Sequence, residues 1–140
     1  MSSDYINVKT PNDNKTLDDL RTYIATRTKR ADVLFLAIID AKSGRHVGNI
    51  KYEPVNENAG FAVMGILVST DYRGKGIAGE VISASAAWLK THRGIHTIVL
   101  GVSVKNSMAI RAYEKVGFVL EDTPLVQKSH PHQVLMVKRQ

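Results

Sequence analysis

The sequence predicts a mixed α/β domain on one central sheet, and three patterns point to it. Segments 33–40, 46–52 and 61–68 are apolar or alternating and follow one another across glycine-containing turns, as the strands of an antiparallel meander do. The third strand runs through a glycine-rich turn into an alanine-rich helix and then a further strand, 96–102, a unit that returns parallel to 61–68. A second helix, 107–116, and strands at 118–122 and 133–138 complete the pattern.

The bounds are those of one ordinary domain. A chain of 140 residues, 44% hydrophobic and 23% charged, is enough for a single core. The absence of cysteine excludes disulfides, thiolate metal sites and a cysteine acyl-enzyme, and it fits a reducing, cytoplasmic setting. The net charge of +6 calls for an anionic partner, but the cations are scattered from Arg21 to Arg139 without a block of five or six. A polyphosphate ligand suffices to explain them, and nucleic acid ranks last. The N-terminal MSSDYINVKT lacks the apolar stretch of a signal peptide, and no apolar run approaches the ~18 residues of a membrane span.

The elements follow in order. Residues 1–15 are polar and read as an irregular lead-in. Thr16 then caps a short amphipathic helix, 16–28, with Leu17, Leu20 and Ile24 on one face. VLFLAIID at 33–40 is apolar almost throughout, hence central. HVGNIKY at 46–52 alternates and is ended by Pro54. FAVMGILV at 61–68 is the third strand. The long helix from about Gly76 to Thr91 places Ala78, Val81, Ile82, Ser85, Trp88 and Leu89 on one face, and Gly94 breaks it. Asn106 is a good N-cap for 107–116, and Gly117 occupies the left-handed C-terminal position. Residues 123–132 are a loop. His92 and His96 flank the helix break and read as turn or surface histidines, and His130/His132 sit on a proline-flanked loop with no nearby acidic partner, so no metal site is expected.

The chemistry centres on ILVSTDYRGKGIA, residues 66–78. A glycine turn between a strand and a helix leaves backbone N–H groups unpaired, and the helix N-terminus, Arg73 and Lys75 add positive charge. That combination suits a pyrophosphate. Gly74, Gly76 and Gly79 also satisfy the dinucleotide pattern G-x-G-x-x-G. However, no acidic residue ends strand 96–102, and a meander, not a βαβ unit, precedes the turn.

Two motifs resemble the GCN5-related N-acetyltransferases. Arg73, Gly76 and Ala78 match their Arg/Gln-x-x-Gly-x-Gly/Ala signature, and NSMAIRAYEKVGF supplies Asn106, Tyr113, Gly117 and Phe118 at the family's spacing. HVGNIKY…YRGKGIA is similar to the RimJ/RimL-like branch. The resemblance covers residues 16–138 and implies a GNAT fold, with a splayed parallel pair at the cofactor site and acetyl-coenzyme A as co-substrate. It implies one domain over 1–140; the chain departs from the family in an N-terminal strand and helix that read as shortened or missing, which leaves acceptor binding open, completed by a dimer partner, or lost. By the resemblance, backbone from Arg73 through Gly74, Lys75, Gly76 and Ile77 to Ala78 binds the pyrophosphate. Strand residues Ile66, Leu67 and Val68 and the side chain of Asn106 bind the pantetheine arm, and Tyr113 lies near the sulfur.

The residues agree with that chemistry. Acyl transfer to an amine needs a neutral nucleophile, an oxyanion donor and a proton for the thiolate. A backbone N–H at Ile66 or Val68 can be the donor. The Tyr113 phenol, with a reference pKa of about 10, matches a thiol leaving group. The base is open among Glu53, Glu57 and a water chain. The expected acceptor is a small-molecule amine or a protein N-terminus. A catalytically silent acyl-coenzyme A-binding module is the alternative.

Overall fold

The computed structural model describes residues 30–121 and 132–140 in full and the backbone of 5–7 and 22–26. Strands β1 (Tyr5–Asn7), β2 (Thr22–Thr26), β3 (Leu34–Asp40), β4 (His46–Asn56), β5 (Phe61–Val68), β6 (Thr97–Ser103), β7 (Val119–Glu121) and β8 (Gln133–Arg139) form one sheet in the order β1-β2-β3-β4-β5-β6-β8-β7. Helix α1 (Ile77–Arg93) connects β5 to β6, and α2 (Ser107–Lys115) follows β6.

The expected meander is present. β3 pairs antiparallel with β4, and β4 with β5, because each strand has an apolar set to bury. Leu34, Leu36 and Ile38 of β3, Ile50 and Tyr52 of β4, and Ala62, Met64 and Val68 of β5 join one core with Ile77, Val81, Ile82, Ala86 and Leu89 of α1. Burial of each such aliphatic side chain stabilises by about 1.5–3 kcal/mol. α1 ends at Gly94, whose φ of 70° is the left-handed conformation a helix stop requires.

Two expectations fail in the N-terminal region. The helix placed at 16–28 is overturned at 22–26, which is strand β2, paired with five residues of β3. TYIAT is rich in β-branched and aromatic residues, and the free edge of β3 offers a ladder, so tertiary pairing overrides a local helical spacing. Residues 16–21 and 27–28 of that helix lie outside the described residues. The lead-in placed at 1–15 contains β1, which pairs antiparallel with β2, so a short edge strand is present. Pro54 does not end its strand either. β4 continues to Asn56 by absorbing Glu53 and Pro54 in a register shift between Tyr52 and Val55, where a residue without an N–H interrupts no ladder bond. The loop expected at 123–132 lies outside the described residues except for His132, whose carbonyl accepts from the Val104 N–H.

Candidate active site

β5 and β6 run parallel but pair over only Phe61–Val63 and Thr97–Val99. Beyond that point β5 stays with β4 as far as Gly48↔Val68, while β6 stays with β8 as far as Ser103↔Gln133. The two strands therefore splay toward their C-terminal ends. The Ser69 N–H donates to the Val47 carbonyl at 2.7 Å, which fixes which peptide groups face β4. By strand alternation the Leu67 N–H faces β4, and those of Ile66 and Val68 face the gap. At the other end of the strand, the Gly60 carbonyl accepts from His96 and Thr97, confirming that even-numbered groups point toward β6.

The glycine turn closes this end of the sheet. After a 3-10 turn at Thr70–Tyr72, Gly74 and Gly76 take φ of 75° and 81°, and a side chain at either position would meet open space. Gly76 caps α1 with no side-chain hydrogen bond, so the first N–H groups of the helix are free of an intrahelical acceptor. Ile77 is buried beneath the turn and anchors it to the core, while Arg73, Gly74, Lys75 and Gly76 are exposed. Arg73 Nε donates to the Val68 carbonyl at 2.9 Å. Tyr72 ties the turn to the meander: its hydroxyl donates to Asp40 Oδ2 at 2.9 Å, and Lys75 Nζ lies 5.5 Å from its ring centre. This anion cradle and the free strand edge beside it fit a ligand that joins phosphates to an extended, amide-bearing arm.

α2 begins at the same end of the sheet, just past Ser103. The Asn106 Oδ1 accepts from the Ala109 N–H at 3.1 Å, the capping bond expected of it, which leaves its amide nitrogen to donate elsewhere. Tyr113 is half-buried and packs edge-on against Phe118 at 5.8 Å. Burial raises the phenol above its ordinary value, so it stays protonated at neutral pH. Leu67, Val104 and Met108 are exposed around the C-terminal ends of β5 and β6, an apolar rim suited to an aliphatic arm.

The two carboxylates do not gather here. Glu57 pairs with Arg93 at the opposite end of α1, a helix of 17 residues and so about 25 Å long. Glu53 is paired with Lys51 at 3.2 Å and Arg30 at 3.8 Å. It stands three residues along β4 from Ile50, the partner of Ile66, or about 10 Å of strand. His92 stacks on Trp88, and His96 bonds to Thr97 and packs over Gly60, so the two serve separate contacts. His130 lies outside the described residues. Among the described residues no three acidic or histidine side chains converge as metal ligands.

A groove of about 350 Å³ opens beside the splay, lined among others by His46, Gly48, Asn49, Leu67, Val68 and Arg73. Neither His46 nor Asn49 stands out in the sequence. Residues three apart on a flat strand point to opposite faces, but the register shift at Ile38/Ile39 brings this pair within a hydrogen bond of 2.7 Å.

An anion cradle at a strand–helix turn, adjoining a parallel pair that opens for an extended arm, defines a coenzyme-dependent group-transfer class of site. Residues 2–119 match the profile of the Acetyltransferase (GNAT) domain, and the chain belongs to that family. It is 31% identical over 75 residues to spermidine N(1)-acetyltransferase of Vibrio cholerae, covering 54% of this chain and 43% of that protein. It is 29% identical over 99 residues to mycothiol acetyltransferase of Corynebacterium aurimucosum, covering 66% of this chain and 32% of that protein. The match thus spans less than half the length of either relative. Among solved structures, a Vibrio cholerae spermidine N-acetyltransferase in complex with CoA and spermine superposes with a TM-score of 0.65 at 23% identity, over 79% of this chain and 67% of that one. A dodecameric form of the Vibrio cholerae enzyme gives 0.67 at 24% identity, over 91% and 70%. These superpositions establish the shared fold. No helix among the described residues is long and apolar enough to cross a membrane.

Proposed function

We propose that this chain transfers an acetyl group from acetyl-coenzyme A directly to a primary amine of a small molecule, with residues 1–140 acting as one domain. The observation that carries the reading is the three-residue pairing of β5 and β6 beside a glycine turn whose N–H groups are open. Acetyl-coenzyme A supplies the activated thioester. The backbone from Arg73 to Ala78 takes its pyrophosphate, helped by the charges of Arg73 and Lys75. The Ile66 and Val68 peptide groups take the pantetheine amides, as an added strand would. An N–H at this end of β5 stabilises the oxyanion, and removal of one such donor typically costs about 10²–10³ in rate. Asn106 donates its amide N–H to the arm, and the Tyr113 phenol protonates the departing thiolate.

The amine relatives support a small-molecule acceptor. A protein N-terminus, which goes with the RimJ/RimL-like flavour of HVGNIKY…YRGKGIA, is the second acceptor class. A thiol-release assay over polyamines, amino sugars, amino-acid derivatives and N-terminal peptides tests the reading. Release with at least one amine is expected. Coenzyme A binding with no release for any amine would instead establish a silent binding module. The Tyr113→Phe variant should lower kcat by about 10²-fold or more, with coenzyme A affinity within about twofold of the native chain. An unchanged kcat removes Tyr113 from the mechanism.

A further inference from the structure

We propose that Gly65 and Gly101 form the opening through which the acceptor reaches the thioester, that this opening selects a primary amine on a branched carbon, and that Gln133 at its rim takes a polar branch; this rests on the acetyltransferase reading above. The last pair of the parallel ladder is Val63↔Val99. Two residues further along each strand stand Gly65 and Gly101, at the same level and on the same side of the sheet, where the strands begin to part. That side faces away from the helices. Ala62, Met64, Ile98 and Leu100 of the alternate set form the core with α1, and α2 packs against the same core. Both glycines are exposed. The Val63–Val99 pair closes the cleft at one end, and the Ile66 peptide group takes the arm at the other. The thioester carbonyl therefore falls within about one residue of Gly65, roughly 3 Å of strand.

Glycine inside a strand weakens it, so each of the two needs a reason. Neither has a positive φ, and both lie in regular register, Gly65 opposite Lys51 and Gly101 opposite Leu135. No turn or bulge requires them. A Cβ on Gly65 would meet no protein atom within 4 Å, so no neighbouring group requires the space either. What remains is a ligand that approaches the backbone there. At Gly101 the space is taken by an amide. Gln133 Oε1 lies 3.0 Å from where a Cβ would stand, and that amide makes no hydrogen bond among the described residues. The opening thus has an empty side over Gly65 and a hydrogen-bonding side over Gly101. As the amine nitrogen reaches the carbonyl, its carbon comes level with both. One branch of that carbon fills the space over Gly65, and a polar branch meets Gln133. Lys51, on the same side as Gly65, is paired with Glu53 at 3.2 Å, so the pair offers no net charge to hold the second ammonium of a polyamine.

The test uses the full chain and two matched probes, glycinamide and alaninamide, which share a carboxamide and differ by a methyl on the amine carbon. Spermidine is the unbranched reference. The native chain should favour alaninamide over glycinamide by about tenfold or more in kcat/KM, and over spermidine by more. Gly65→Val fills the empty side, so it should lower kcat/KM about 10–100-fold for alaninamide and less than about threefold for glycinamide. Gly65→Ala should act in the same direction and raise the melting temperature, because its methyl meets nothing and the strand gains. Gln133→Ala should lower kcat/KM for both amides by about tenfold and leave their ratio. Coenzyme A affinity by calorimetry should stay within about twofold of native in all three variants. A native preference for glycinamide or spermidine overturns the proposal. So do equal losses of the two amides in Gly65→Val, a fall in melting temperature in Gly65→Ala, native rates in Gln133→Ala, an effect confined to coenzyme A affinity, or turnover of another amine with neither amide accepted. A native chain that acetylates no amine removes the acetyltransferase reading and this proposal with it, an outcome distinct from each of those.

Discussion

Asp40 shows how much one buried carboxylate does for the cofactor turn. Burial alone would raise its pKa, but the Tyr72 hydroxyl, the Lys42 N–H and Ser43 together hold it below the usual carboxylate range. A depressed value in the folded state contributes stability that is full above the unfolded value of about 4 and lost as pH falls through the lower folded value. Tyr72→Phe removes one of these donors and the tie between the meander and the glycine turn. It should cost roughly 1–2 kcal/mol at neutral pH, a charged hydrogen bond discounted for partial exposure. The native chain should also lose melting temperature more steeply than the variant between about pH 5 and about pH 3. Parallel acid curves would show that the Tyr72–Asp40 bond carries none of the shift.

At the scale of the element, the strand–turn–helix unit is held in shape by two left-handed glycines at opposite ends of α1. Gly76 and Gly94 have φ of 81° and 70°, and a side chain at either meets no protein atom. Valine at either site pays the left-handed penalty, about 1–2 kcal/mol before branching is counted. Only at Gly76 does it also fill the space where phosphate approaches the backbone. Gly76→Val should therefore reduce coenzyme A affinity by about 100-fold or more, while Gly94→Val destabilises comparably and binds normally. Equal binding losses would make strain, not phosphate access, the cause. This unit was legible in the sequence because local rules dictate it: glycines where φ is positive at both ends of α1, and apolar positions at helical spacing between them. β2 was not, because Leu17, Leu20 and Ile24 carry a helical period that the open edge of β3 overrides. The His46–Asn49 contact was not legible either, since a register shift that no local pattern announces creates it.

At the scale of the molecule, the gap is a property of how the sheet is shared out. β4 and β8 hold β5 and β6 along their lengths, whereas β5 and β6 hold each other over three residue pairs. The opening is thus built by full ladders on either side and needs no strand to be displaced before a ligand enters. The two edges of β5 should differ residue by residue in amide hydrogen exchange. In the free protein, the Leu67 amide, facing β4, should exchange slowly, and those of Ile66 and Val68, facing the gap, should exchange fast. Acetyl-coenzyme A, pairing as a strand, should slow Ile66 and Val68 and leave Leu67 as it was. Uniform slowing along β5 would mean that the ligand stabilises the fold without lying against this edge. No change at Ile66 and Val68, with binding confirmed by calorimetry, would place the arm outside the gap and overturn the site.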